Sequence, residues 1–252
     1  MARASPTYAH LVELTAANSS EVENFYKGLI DDMTSYLDAQ YQVLRLTEWT
    51  LGNPELGGRG HVEAILFSAL HKNMFLFFSA IELVRRGLYG PACTLLRSIV
   101  ESLVLAKFCA KADDPTVLNK WRVGKYVRLV EDVLDRVSRP SFPETREIWK
   151  DLNRLVHATI YAQQVSMSYA DVSKEIRATL GIIRVLLHWN YHLLTRHFLT
   201  ASTIYYTRRY GDAAAFAEAR GAARTIASKT RREFAETGAR LVREYYANWE
   251  IR

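Results

Sequence analysis

Apolar positions recur every three to four residues along most of the chain, which is the period of amphipathic helices; no stretch alternates with the period of a strand. Ser20 with Glu23 three residues on has the capping-box pattern, and the run from Val22 to about Leu51 predicts a first long helix. Residues 52–60, GNPELGGRG, read as a loop. A second helix is predicted from about His61 to Arg86. Its stretch MFLFFSAIELV is apolar nearly all round, which predicts packing on more than one side. Residues 87–90 make a turn, and Pro91 sits where helices favour it, opening a third helix that ends near Lys111.

The same logic places Asp114 and Pro115 at the start of a fourth helix, running to about Val137. A loop at 138–143 precedes a fifth helix from Glu144 to about Ala162. Asp171 caps a long sixth helix reaching about Arg209, and Gly211 and Asp212 turn the chain into an Ala- and Arg-rich seventh, to about Asn248. The pattern predicts an all-α fold: a multi-helix bundle of about seven helices with long sixth and seventh helices. It reads as one helical domain over 1–252, with an N-terminal helical arm at 1–60, a bundle core at 61–209 and a C-terminal helix at 212–252.

Composition narrows the class. With 49% hydrophobic and 24% charged residues over 252 positions, the chain can bury a core and is neither disordered nor low-complexity. Two cysteines cannot form a disulfide framework; Cys93 and Cys109 fall on apolar helix positions and read as reduced core residues. The N-terminus lacks an apolar stretch of signal-peptide length, and no run approaches a membrane span, so a cytoplasmic location without membrane insertion is expected. The net charge of +6 is uneven: residues 1–60 carry −4 and residues 171–252 carry +6. The acidic and basic ends could attract one another, within a chain or between chains, or the basic end could meet an anionic partner.

Three groups of polar residues stand out against apolar helices. Arg97 and Glu101 lie four apart on the third helix and share a face, where only Lys107 adds another charge between Leu88 and Ala110. Arg184, His188, His192 and Arg196 recur every four residues along the sixth helix. Arg offers a planar fork to phosphate or carboxylate, and His titrates near neutrality, so the row suits an anion. His188 and His192 also have helical metal-ligand spacing, but Trp189 stands where the HEXXH motif needs Glu, and the flanking arginines oppose a dication. His157 is a lone histidine on the fifth helix; if helices three, five and six pack together, it could join Arg97, Glu101, Arg184 and His188. Phosphate-loop, GxSxG and CxxC motifs are all missing. The charges of Arg220, Arg224, Lys229, Arg231 and Arg232, balanced by Glu218, Glu233 and Glu236, read as a solvated face.

The segment GLYGPACTLLRSIVE, with Leu-Leu-Arg, a Glu four after the Arg, and the later lone His157, resembles bacterial all-helical proteins classed as domains of unknown function. The resemblance covers about residues 60–205. Such families look distantly like the HEPN group, in which an Arg and a nearby His cut RNA without metal. The resemblance implies a defence- or toxin-associated ribonuclease or a nucleotide-binding bundle. The Arg of the HEPN spacing has no counterpart ahead of His157 or His192, which leaves an anion-binding or diverged form.

Three readings result. The first is an anion- or nucleic-acid-facing bundle, up to a metal-independent ribonuclease. His157 or His188 would be its acid/base and Arg97 or Arg184 the phosphorane partner, with Glu101 orienting and Arg184, His192 and Arg196 holding the anion. It calls for RNA or a nucleotide or phosphate ligand, no cofactor, and a homodimer. The second is a non-catalytic scaffold with a protein partner. The third is a helical metalloenzyme using His157, His188, His192 and Glu101.

Overall fold

The structure is a computed structural model that describes residues 6–46, 60–111, 117, 119, 120, 123–125, 127, 133, 134, 145–156, 173–198 and 213–233. Most of these residues lie in six α-helices and a π-helical turn at 194–198, and no strand occurs among them. The helices are α1 (Pro6–Arg45), α2 (Gly60–Arg85), α3 (Tyr89–Lys111), α4 (Thr145–Val156), α5 (Ser173–Leu193) and α6 (Ala213–Glu233). The π turn, Leu194–Phe198, continues α5. The fold is therefore all-α. Six long helices are described rather than seven, because most of the region expected to hold the fourth lies outside the described residues.

The predicted start of the first helix is corrected. Ser20 and Glu23 lie inside α1, which begins sixteen residues before Val22, at Pro6. Between Thr7 and Arg45 the sequence holds no proline and one glycine, so nothing stops the helix where a capping pattern happens to occur. At 40 residues α1 is about 60 Å long.

Residues 86–88 close α2 with hydrogen bonds Gly87 N–H to Val84 C=O (2.8 Å) and Leu88 N–H to Leu83 C=O (2.8 Å), a Schellman cap. Gly87 sits at φ 70°, the left-handed conformation the cap needs, and its α-carbon lies against the Asn18 side chain of α1. α3 begins at Tyr89, two residues before the expected start, so Pro91 is the third residue of its first turn, where its missing N–H still costs no helical hydrogen bond.

Cross-helix contacts fix the packing directions. Tyr41 meets Phe75 and Asp31 approaches Arg85, so α1 and α2 are antiparallel. Asn73 bonds Asn190 and Phe67 meets Phe198, so α2 and α5 are antiparallel as well. Tyr36 to His188 and Gln40 to Asn190 make α1 and α5 parallel. Buried apolar side chains from all six helices form one cluster; α3 and α5 contribute Leu96, Ile99, Val100, Ile183 and Leu187 at zero exposure. Cys93 and Cys109 are free and buried, and burial pushes both thiols up to about 11. They are protonated and unreactive at neutral pH.

α2 packs on more than one side, as expected, against α1, α3 and α5. Its apolar run is not buried all round: Phe75 is 56% exposed and Phe78 is 58% exposed.

Candidate functional site

The sixth predicted helix is α5, and the first two residues of its Arg and His row, Arg184 and His188, face α1 and α6. Arg184 is half-buried and lies beside Asp32 of α1, in a shallow pocket also lined by Ser35, Lys229 and Thr230. Burial lowers the Arg184 pKa and Asp32 opposes the shift. Lys229 Nζ donates to both Asp32 carboxylate oxygens, at 3.1 and 2.9 Å. This pair joins the acidic α1 to the basic α6, so the charge asymmetry of the sequence is used within the chain. Both partners are half-exposed, so the bridge itself contributes at most a few tenths of a kcal/mol, about the usual surface value.

One turn further along α5, His188 Nδ1 lies 3.4 Å from the Tyr36 hydroxyl. Burial lowers the His188 pKa, and the charge of Arg231 on α6 lowers it further. His188 is thus neutral at pH 7. Tyr191 follows, tilted against Tyr36 with ring centroids 5.7 Å apart. Burial raises the Tyr191 pKa, with Arg224 and then Arg220 of α6 pulling it back. Four exposed basic side chains of α6 thus act on this part of α5: Lys229 lines the Arg184 pocket, and Arg231, Arg224 and Arg220 lie within electrostatic reach of His188 or Tyr191.

His192 is half-buried on α5. Arg196 is exposed and sits in the π turn, whose wider repeat breaks the four-residue row there. The same turn carries Phe198 into the core against Phe67, at 5.8 Å between ring centroids.

Arg97 and Glu101 belong to another part of the bundle. Their Nε–Oε1 distance is 3.2 Å, an i,i+4 ion pair on a partly exposed face of α3. One turn earlier on α3, Cys93 contacts Thr179 of α5 at 3.7 Å. Five residues separate Thr179 from Arg184, so these point roughly 140° apart around α5. α5 thus presents one side to α3 and another, with Arg184 and His188, to α1 and α6. His157 lies outside the described residues. Among the described residues no group of three His, Cys, Asp or Glu side chains is placed to hold a metal ion. No described helix is long and apolar enough to cross a membrane.

Two polar features were not singled out by sequence. The first is a chain of amides in the core. Gln40 Nε2 donates to the Leu187 carbonyl (3.1 Å), Asn190 Nδ2 to Gln40 Oε1 (3.0 Å), and Asn73 Nδ2 to Asn190 Oδ1 (3.1 Å). All three amide residues have zero exposure, and Asn73 Oδ1, the end of the chain, is buried without a donor. The available signal was Asn73 interrupting the apolar run of α2. The second is Asp151 on α4, buried with its Oδ2 unpartnered. Its ion pair is to the exposed Arg154 at 3.7 Å. Burial raises the Asp151 pKa, Arg154 lowers it, and Glu147 raises it again.

These two shifts give opposite pH behaviour. A raised carboxyl favours folding at pH below its unfolded value, and that stability is lost as pH rises through the folded value. Asp151→Asn is therefore expected to raise the melting temperature at pH 7.5, by about 2–4 °C for about 1 kcal/mol relieved. Scanning calorimetry checks it; a lower melting temperature would show that the carboxylate is needed. A lowered histidine acts the other way: its contribution is complete above the ordinary value of about 6.5 and is lost as pH falls through the folded value. Urea melts at pH 7.5 and 5.0 should show His188→Gln losing less stability on acidification than the wild type. Equal losses would remove His188 as a source of acid sensitivity.

No protein-family model, curated protein or solved structure matches the chain. The class defined here is an all-α bundle with a basic, aromatic-bearing face between α5 and α6.

Proposed function

We propose that the protein is an anion-binding helical bundle whose α5–α6 face takes a chain of phosphates, with single-stranded RNA as the ligand class. The observation that carries this reading is that exposed arginines of α6 lie within electrostatic reach of half-buried rings of α5, Arg231 acting on His188, and Arg224 and Arg220 on Tyr191. α5 and α6 carry eight Lys and Arg against three Glu. Arg220 to Arg231 spans roughly 16 Å of helix, longer than one phosphate needs. Arginine forks hold phosphate oxygens, and a neighbouring ring offers a stacking surface to a base. Cleavage is the more demanding form: neutral His188 would accept the 2′-hydroxyl proton as that oxygen attacks the adjacent phosphorus, a neighbouring Arg would hold the phosphorane charge, and the 5′-oxygen would leave as its bond to phosphorus breaks, taking a proton from water.

Fluorescence anisotropy with a labelled single-stranded RNA tests the reading. Binding should weaken steeply with salt, and Arg220→Glu with Arg224→Glu should weaken it at least about 10-fold at fixed salt. Absence of salt-sensitive binding by the wild type would sink it. His188→Ala that abolishes cleavage and spares binding would support the catalytic form; RNA left intact by the wild type would leave binding alone.

A further inference from the structure

We infer that the outer face of α2 is an interface with a second copy of this chain, the two α2 helices crossing antiparallel about a two-fold axis between Phe75 and Phe78. Ser68, His71, Phe75, Phe78, Glu82 and Arg85 recur at alternating spacings of three and four, the seam of a helix that packs on another helix. That seam faces outward. Ser68 and His71 are exposed, Phe75 and Phe78 more than half so, and Glu82 and Arg85 are partly exposed at the far end. Phe75 and Phe78 put two exposed aromatic rings one turn apart on one open helix face, so covering that face would bury both together.

The order of residues selects the occupant. The seam reads polar, His, Phe, Phe, acidic, basic. Turned about its own midpoint, it sets Phe75 against Phe78 of the second copy, and His71 against Glu82 of the second copy. One interface thus carries two His–Glu pairings around four phenylalanines, the self-complementarity that an isologous dimer requires. A one-heptad shift either sets Phe75 and Phe78 against Arg85 and Glu82 or separates them onto His71 and Ser68, and a parallel alignment sets Glu82 against Glu82 and Arg85 against Arg85. Within the chain the seam is already ordered: the His71 ring meets Phe75 edge-on at 5.2 Å and stacks on Phe67 at 5.7 Å, while Tyr41 of α1 braces Phe75 from the side at 6.5 Å. Rings held in place before association lose little freedom on binding. Glu82 is kept in the seam by Arg85, with Nη1 to Oε1 at 3.2 Å.

Sedimentation velocity on the full chain, over a concentration series up to about 0.1 mM, reads the outcome. The wild type should form a dimer. Phe75→Glu with Phe78→Glu should weaken it at least about 100-fold, with an unchanged circular dichroism spectrum because both side chains are exposed. Glu82→Lys should weaken the dimer as well, and adding His71→Glu should restore it, since each pairing is then inverted. A dimer indifferent to the Phe substitutions, or a Glu82→Lys variant that His71→Glu fails to rescue, overturns the inference. So does a monomeric wild type, whether its Phe75–Phe78 face then takes up another protein or a lipid surface.

Discussion

Asn190→Ala should cost about 4 kcal/mol of folding stability, read from urea denaturation. Its amide is the middle link between Gln40 and Asn73, and all three side chains are sealed from water. Removing it strands Gln40 Oε1 and Asn73 Nδ2 together. Each buried polar group left unpaired costs about 1–3 kcal/mol. The loss is a large part of the roughly 5–15 kcal/mol that holds a typical domain folded. The comparison that identifies the cause is the triple replacement Gln40→Leu, Asn73→Leu, Asn190→Leu. It removes every partner at once and should cost less than Asn190→Ala alone, despite altering three positions. A loss below about 1 kcal/mol in Asn190→Ala would show that the chain of amides is dispensable.

Gly87→Ala should be the most damaging substitution of a single hydrogen by a methyl group, at about 3 kcal/mol. Two independent terms add. The residue must hold φ 70°, which costs an L side chain about 1–2 kcal/mol. The new methyl group would also fall inside the Asn18 side chain of α1, and overpacking a tight contact costs about 1–3 kcal/mol. Asn18→Gly opens that space without touching the backbone angle. In a double-mutant cycle followed by thermal melting, Asn18→Gly should recover the steric part of the loss and leave the conformational part. A purely additive cycle would mean that the clash is relieved by movement of α1.

The helix positions were largely legible in the sequence because each depends on local signals. Apolar periodicity and Pro91 set α2 and α3, and Gly87 marks the end of α2. The start of α1 was misread because a capping box is a permissive signal. It favours a helix start where the preceding chain cannot be helical, and residues 7–19 can be. The candidate site was legible as a row on one helix but not as a place. Arg184 and His188 could be read from their spacing, but nothing in that spacing says that they meet Tyr36 and α6 rather than Arg97 and α3. The α6 arginines read as a solvated face because acidic neighbours balance them along the chain. In the fold Arg220, Arg224 and Arg231 are exposed, as that reading expects; what it could not show is that Arg231 lies within electrostatic reach of His188, and Arg224 and Arg220 within reach of Tyr191. Long-range adjacency of this kind is fixed by tertiary packing, which a periodicity argument does not contain.

The amide chain has a direction, since every link donates one way, from Asn73 through Asn190 and Gln40 to the Leu187 carbonyl. A change at any one link reverses or removes a donor that the next link needs. The three positions therefore form a single heritable unit spread over α1, α2 and α5. Among descendants of this sequence they should be inherited together or lost together, with single replacements purged and joint replacement by apolar residues tolerated. Counting how often the three vary singly in a collection of such descendants would measure the strength of the lock without a single protein being unfolded.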